Sequence, residues 1–144
     1  MAAFSDSPSP NNVAKGAYAN GAFHFSVSYP LNLAVREYQE EGGAITVTFQ
    51  DIPTDQKFQV YVTPYRSKEI TQERFRLDEP SRIRQDPIDV TIDGTKATAF
   101  YSHNDILDDT REIWFIHGGY LYEVTSYKEL STWLDKIMQS WKLL

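Results

Sequence analysis

The stretch IWFIHGGYLYEVTSY, residues 113–127, constrains the fold of this chain more than any other segment. Two adjacent glycines separate two runs of aromatic and branched side chains, which is typical of a β-hairpin with a two-residue turn. Pairing outward from the turn places Phe115 opposite Tyr122 on one face and Ile116 opposite Leu121 on the other. Because both faces are largely apolar, the hairpin is predicted to be central in a sheet that is covered on both sides.

Alternating apolar and polar residues predict further strands. The pattern occurs in FHFSVSYP at 23–30, in GGAITVTFQD at 42–51 and in KFQVYVTPY at 57–65. A second hairpin is predicted within IDVTIDGTKATAF, at 88–100, because its Asp-Gly dipeptide suits the positive φ angles that a type I′ turn requires. The chain is therefore expected to form an antiparallel sheet.

Two helices are predicted beside this sheet. A short helix begins after Thr71, a plausible N-cap, and ends before Pro80. A C-terminal helix is predicted from Ser126 and Glu129, which have capping-box spacing. Its apolar stripe comprises Leu130, Trp133, Leu134, Ile137, Met138 and Trp141. The predicted fold class is α+β: a central antiparallel β-sheet covered by helices on both faces, an α/β/α sandwich with an amphipathic C-terminal helix.

The chain divides into two parts by composition. Residues 1–21 contain much Ser, Pro, Asn, Ala and Gly without an amphipathic period, so they are predicted to be a flexible N-terminal lead-in or tether. Residues 22–144 are predicted to form a single α+β domain. No apolar run approaches the roughly 20 residues that span a bilayer, so no transmembrane segment is predicted. The lead-in also lacks the apolar core of a signal peptide, and the signal of an exported protein would lie upstream.

The formal net charge is −6, which argues against a nucleic-acid binder, since such proteins gain affinity by neutralising phosphates. One locally basic stretch, RFRLDEPSRIR at 74–84, is interrupted by two carboxylates. It is interpreted as a solvated helix-and-loop surface, with anion binding as the alternative.

No residue set predicts catalysis, a cofactor or a metal. The chain has no Cys, which excludes disulfides and thiol chemistry. His24, His103 and His117 lack the spacing of metal ligands, and there is no G-x-S-x-G nucleophile motif. A hydrolase assembled from scattered residues is the least supported class of function.

Two sets of side chains are candidate binding sites. Tyr61 and Tyr65 point away from the predicted core side of their strand and form a candidate partner surface, since tyrosine is enriched at interfaces. Asp105, Asp108 and Asp109 form an acidic turn that is a candidate cation site, because calcium prefers several oxygen ligands. Ordinary turn formation by Asp and Asn is the alternative interpretation.

Four motifs together resemble the PsbP-like family over about residues 22–144. They are FHFSVSYP, VTIDGTKATAF, REIWFIHGGYLYEVT and WLDKIMQSW. The resemblance implies an antiparallel sheet between helices. That fold group includes extrinsic photosystem subunits and a regulator of a nuclear-transport GTPase, and its bacterial members are often lipoprotein-anchored. No catalytic motif of the group maps onto this chain, and fold analogy alone is a weak guide to function.

The chain is predicted to be a non-enzymatic binding or accessory domain that recognises a protein partner. No cofactor and no nucleic-acid partner are predicted. The lead-in and the resemblance predict an exported or membrane-tethered protein, extracytoplasmic or in the cell envelope, with a lipid anchor upstream. The alternative is a small-ligand or calcium-binding domain that uses the acidic turns or a pocket between sheet and helix.

Overall fold

Residues 14–144 are described by a computed structural model, and they form ten strands and two α-helices. The strands are β1 (Lys15–Asn20), β2 (Phe25–Pro30), β3 (Ala34–Gln39), β4 (Ile45–Asp51), β5 (Gln56–Pro64), β6 (Gln85–Ile92), β7 (Thr95–Asn104), β8 (Asp108–His117), β9 (Tyr120–Tyr127) and β10 (Lys142–Leu143). The helices are α1 (Gln72–Asp78) and α2 (Ser131–Met138), and 3-10 turns occupy Glu41–Gly43 and Lys128–Leu130.

A seven-stranded antiparallel sheet, the large sheet, dominates the fold. Its strand order is β3-β4-β5-β9-β8-β7-β6, which places β9 in the middle. The β8–β9 register sets Phe115 opposite Tyr122 and Ile116 opposite Leu121, as predicted. Both strands are buried over most of their length, and the prediction of a central hairpin is confirmed.

The main core lies between one face of the large sheet and two smaller elements, α2 and a three-stranded sheet of order β1-β2-β10. Phe25 of β2 stacks on Trp141 with ring centroids 4.5 Å apart and an interplanar angle of 5°. Trp141 also meets the rings of Phe115 and Tyr122 on the large sheet. These aromatic contacts join the two sheets.

The predicted α/β/α sandwich is wrong. Strands make up 55% of the described residues and helices 16%, and the strands form two antiparallel sheets. The eight residues of α2 form a helix only about 12 Å long. The large sheet is about 29 Å wide across its seven strands, so α2 cannot cover it. The three-stranded sheet closes much of the core that the helix cannot reach. Within residues 14–144, no helix combines the length and apolarity needed to cross a bilayer.

The two ends of the domain also differ from the expected boundaries. Lys15–Asn20, part of the predicted lead-in, form β1 and pair with β2. The rest of the lead-in, 1–13, lies outside the described residues. The predicted capping box is wrong, because Ser126 is still in β9 and donates to the Lys57 carbonyl at 2.6 Å. Helix α2 begins at Ser131, after a 3-10 turn.

The opposite face of the large sheet carries α1. Thr71 is its N-cap, and its Oγ1 accepts from the Arg74 backbone N–H at 3.1 Å. Phe75 is buried against Phe100 and Trp114 in a second, smaller core. Helix α1 ends at Asp78, two residues before Pro80, as predicted.

Candidate docking surface

A groove runs along the face of the large sheet that carries α1, beside that helix. It consists of three adjoining cavities of about 240, 520 and 580 Å³. The first two share Ile70 and Arg84, and the last two share Lys68 and Ile116. The groove is therefore continuous from α1 to the turn between β8 and β9. We call it the basic groove, because its lining includes Arg66, Lys68, Arg76, Arg82, Arg84 and Lys96.

Charge is unevenly distributed on this domain. Six exposed cations line the basic groove together with one carboxylate, Glu69, although the net charge of the chain is −6. Among the described residues, the only one of these cations within 4.0 Å of an acidic oxygen is Lys96, beside the exposed Asp89. Unpaired cations in one concave strip create a positive potential that attracts anionic groups.

Tyr65 holds the segment that forms one wall of the basic groove. Its backbone N–H donates to the Gly119 carbonyl at 2.8 Å, and its hydroxyl donates to the Glu69 carbonyl at 2.8 Å. The same hydroxyl accepts from the Thr71 N–H at 3.1 Å, and the Arg74 guanidinium lies 6.0 Å from the ring centroid. These bonds fix the chain between β5 and α1 and place Lys68 at the groove.

The candidate partner surface of Tyr61 and Tyr65 remains a prediction. Tyr61 is half-buried on β5, opposite Glu123 on β9. Tyr65 is half-buried beside the basic groove and is engaged in the local hydrogen bonds described above. The two residues lie on the side of the large sheet that carries α1, but only Tyr65 lines the groove.

Glu112 is a buried carboxyl group beneath α1. Its Oε1 accepts from the Trp114 indole N–H at 3.0 Å and from the Thr125 hydroxyl at 2.7 Å. Burial raises the pKa of Glu112 to about 7, and the nearby charge of Glu79 also raises it. The hydrogen bonds from Trp114 and Thr125 lower the pKa but do not cancel the effect of burial. Burial also raises the pKa of Glu79. Burial therefore disfavours the charged form of both Glu112 and Glu79.

Glu123 of β9 has a buried carboxyl group close to Asp78 of α1. Its Oε2 is buried and has no donor within hydrogen-bonding distance among the described residues, so a carboxylate would be unsatisfied there. Burial, followed by a hydrogen bond to Asp78, raises the pKa of Glu123 far above its ordinary value. Protonated Glu123 can donate to Asp78, whose Oδ2 accepts from Arg74 Nε at 2.7 Å.

The acidic turn lies between β7 and β8, on a different part of the molecule from the basic groove. Asp109 contacts His103 at 3.1 Å, and Asp108 has a positive φ of 60°. Among residues 14–144, no three His, Cys, Asp or Glu side chains are grouped so that they could hold a metal ion. The structure therefore does not bring Asp105, Asp108 and Asp109 together as a ligand set, and a cation site there remains a hypothesis.

The sequence contained a partial signal for the basic groove and for the buried carboxyl groups of Glu112 and Glu123. The stretch at 74–84 supplies three of the groove cations, but Arg66, Lys68 and Lys96 come from other segments and join them only in the fold. Glu112 and Glu123 each interrupt an apolar strand that is buried on both faces. A carboxyl group at such a position is buried, which is the signal that could have identified the pair.

Comparison with known proteins gives a match by structure. No protein-family model matches the chain, and no curated protein does. The solution structure of cyanobacterial PsbP (CyanoP) from Synechocystis sp. PCC 6803 matches with a TM-score of 0.63 and 12% identity, over 96% of this chain and 98% of that chain. The chain has a PsbP-like fold. The resemblance predicted from the sequence motifs is confirmed as a likeness of fold, and at this identity no residue role is transferred to the PsbP-like domain.

Proposed function

We propose that this PsbP-like domain is a non-enzymatic accessory domain that recognises a protein partner through the basic groove. The observation that carries the proposal is the segregation of charge, with six exposed cations along one groove of a chain whose net charge is −6. Electrostatic complementarity of this kind steers encounter with a partner of opposite charge and disfavours other partners. The partner surface that fits is an acidic one.

The shape of the groove favours an extended acidic segment. Its cations are distributed over three adjoining open cavities rather than gathered around one point. Ile70 and Ile116, where the cavities meet, are half-buried and add apolar contact area between the charges. An extended chain that alternates acidic and apolar side chains can contact both kinds of group.

We also propose that the domain works outside the cytoplasm, tethered through its N-terminal lead-in and a lipid anchor upstream. The support is the composition of residues 1–13, which precede β1, and the resemblance to a fold group with lipoprotein-anchored members. Fractionation of the source cell, with mass spectrometry of the mature N-terminus, tests this part. A lipidated, membrane-associated protein is the expected result, and a soluble cytoplasmic protein that starts at Met1 would contradict it.

The docking proposal is tested with a short peptide in which glutamate alternates with serine and both termini are blocked. Binding is measured by fluorescence anisotropy at low and at physiological salt, since salt screens such contacts. The test variant is Arg82→Glu with Arg84→Glu, inside the basic groove. The control variant is Arg36→Glu with Lys142→Glu, which makes the same charge change at exposed residues of β3 and β10.

The groove variant is expected to bind at least about tenfold more weakly than the wild type, a difference of about 1.4 kcal/mol. The control variant is expected to retain most of the affinity, because its changes lie outside the groove. Equal losses in both variants would mean that the peptide responds only to net charge, and the groove would then be rejected as the docking surface.

A further inference from the structure

A further cavity lies on the other face of the large sheet, where α2 ends before it reaches the edge strand β6. Its volume is about 190 Å³, and we call it the α2 cavity. The apolar lining includes Ile88, Val90, Ala99, Ile113 and Met138, and Arg111 and Asp135 stand at its polar side. The cavity exists because the β6–β7 register sets Ile88 opposite the small Ala99, while α2 stops at Met138.

Arg111 is the feature that gives this cavity a chemical preference. Its side chain is only 7% exposed, and its Nε and Nη2 lie 3.4 and 3.3 Å from the carboxylate oxygens of Asp135. Both distances exceed the usual range for hydrogen bonds to a charged acceptor. Within residues 14–144 the guanidinium makes no other hydrogen bond. Several of its five N–H donors therefore remain available.

The groups around Arg111 keep the site cationic. The guanidinium carbon lies 4.9 Å from the Tyr101 ring centroid, and the Lys128 ammonium lies 5.1 Å from the same centroid. Asp135 is 45% exposed, so its carboxylate can turn into water without being buried unpaired. A guest carboxylate could take its place on Arg111, because guanidinium and carboxylate match in a two-bond, planar geometry.

We infer that the α2 cavity binds a small apolar monocarboxylate. The carboxylate pairs with Arg111 in place of Asp135, and the hydrocarbon part contacts Ile88, Val90 and Ile113. The cavity of about 190 Å³ equals the liquid volume of about six waters, which suits a short acyl chain or a single aromatic ring. This ligand class is independent of the acidic partner proposed for the basic groove, and the two sites lie on opposite faces of the large sheet.

The experiment titrates hexanoate and benzoate into the labelled full chain and follows amide chemical shifts by NMR. Hexanol serves as the probe that lacks a carboxylate. Saturable shifts are expected at β6, β7 and α2, with weaker binding of hexanol. Arg111→Met is expected to weaken hexanoate binding by about tenfold or more, because a hydrogen-bonded charge pair is lost. The affinity of Arg111→Lys for hexanoate should lie between those of the wild type and Arg111→Met, since lysine keeps the charge without the planar pair of donors.

Asp135→Asn supplies the sharper prediction. Removing the competing carboxylate is expected to tighten hexanoate binding several-fold, whereas Glu129→Gln in the preceding turn should leave it unchanged. If Arg111→Met does not fold, Val90→Phe tests the cavity by filling it and is expected to abolish the shifts. The inference is overturned if neither the wild type nor Asp135→Asn binds hexanoate saturably, or if the shifts fall only around the basic groove.

Discussion

Oε1 of Glu112 lies 3.0 Å from the indole nitrogen of Trp114, two positions further along the same face of β8. The Thr125 hydroxyl donates to the same oxygen from the neighbouring strand at 2.7 Å. The carboxyl group is thus held by two donors in a site that is only 2% exposed. Its charge is disfavoured there, which makes the stability of the domain depend on pH.

The first prediction concerns that dependence. The pKa of Glu112 rises from its ordinary value of 4.5 to about 7 in the folded chain. Between these values the native state retains a proton that the unfolded state releases, so stability falls as pH rises. Glu112 contributes about 1.4 kcal/mol per pH unit to this slope, on the order of 3 kcal/mol over the window. Burial also raises the pKa of Glu123, which adds to the slope in the same direction. Urea unfolding at a series of pH values measures it.

Glu112→Gln isolates this contribution, because glutamine keeps the shape and the accepting oxygen but cannot ionise. The variant should match the wild type near pH 4.5 and exceed its stability above pH 7. Glu41→Gln, at an exposed glutamate, is the control and should follow the wild-type curve. If the free energy of unfolding depended on pH in the same way in the wild type and in Glu112→Gln, Glu112 would not be the group that titrates.

A second prediction concerns the contact between β9 and α1. Asp78→Ala removes both the acceptor for protonated Glu123 and the partner of Arg74, so it should destabilise the domain by about 1–3 kcal/mol. Hydrogen exchange of the α1 amides should accelerate more than exchange in β5 or β9. Glu73→Ala, at an exposed position of the same helix, should change little. Equal effects of the two substitutions would show that the buried pair does not hold α1.

A third prediction uses two neighbouring apolar residues of α1. Phe75 is 8% exposed and packs on Trp114, whereas Leu77 is 69% exposed. Phe75→Ala should lower the free energy of unfolding by about 3 kcal/mol, because it empties the centre of the smaller core. Leu77→Ala should stay within about 0.5 kcal/mol of the wild type. Comparable losses in denaturant unfolding would mean that α1 packs differently.

Calcium provides a fourth prediction. Since no three possible ligands are grouped within residues 14–144, millimolar calcium should leave the thermal unfolding midpoint unchanged. The triple variant Asp105→Asn, Asp108→Asn, Asp109→Asn should respond to calcium in the same way. A stabilisation of the wild type that the triple variant loses would instead support the cation-binding alternative.

Local signals predicted some elements well. The turn Asp93-Gly94 adopts φ angles of 45° and 80°, which its residue types accommodate, and the hairpin register follows from it. The cap at Thr71 likewise depends only on nearby residues. In each case the determinants lie within a few positions of one another.

The three-stranded sheet could not be predicted in this way. Strand β1 contains Gly and Ala and lacks β-branched residues, and β10 has only two residues. Pairing of Lys142 with Ser26 joins the two ends of the domain, so it depends on the whole fold rather than on local preference. The capping box failed for a similar reason, because pairing with β5 and β8 extends β9 past Ser126.

The basic groove is the surface on which the proposed partner recognition depends. Amide chemical shifts of the wild type, recorded while the blocked Glu-Ser peptide is added, locate the contact directly. The expected result is a saturable set of shifts confined to 65–84, 95–98 and 116–119, which weakens with added salt. Shifts spread over the whole surface, or centred on the acidic turn between β7 and β8, would contradict the proposal.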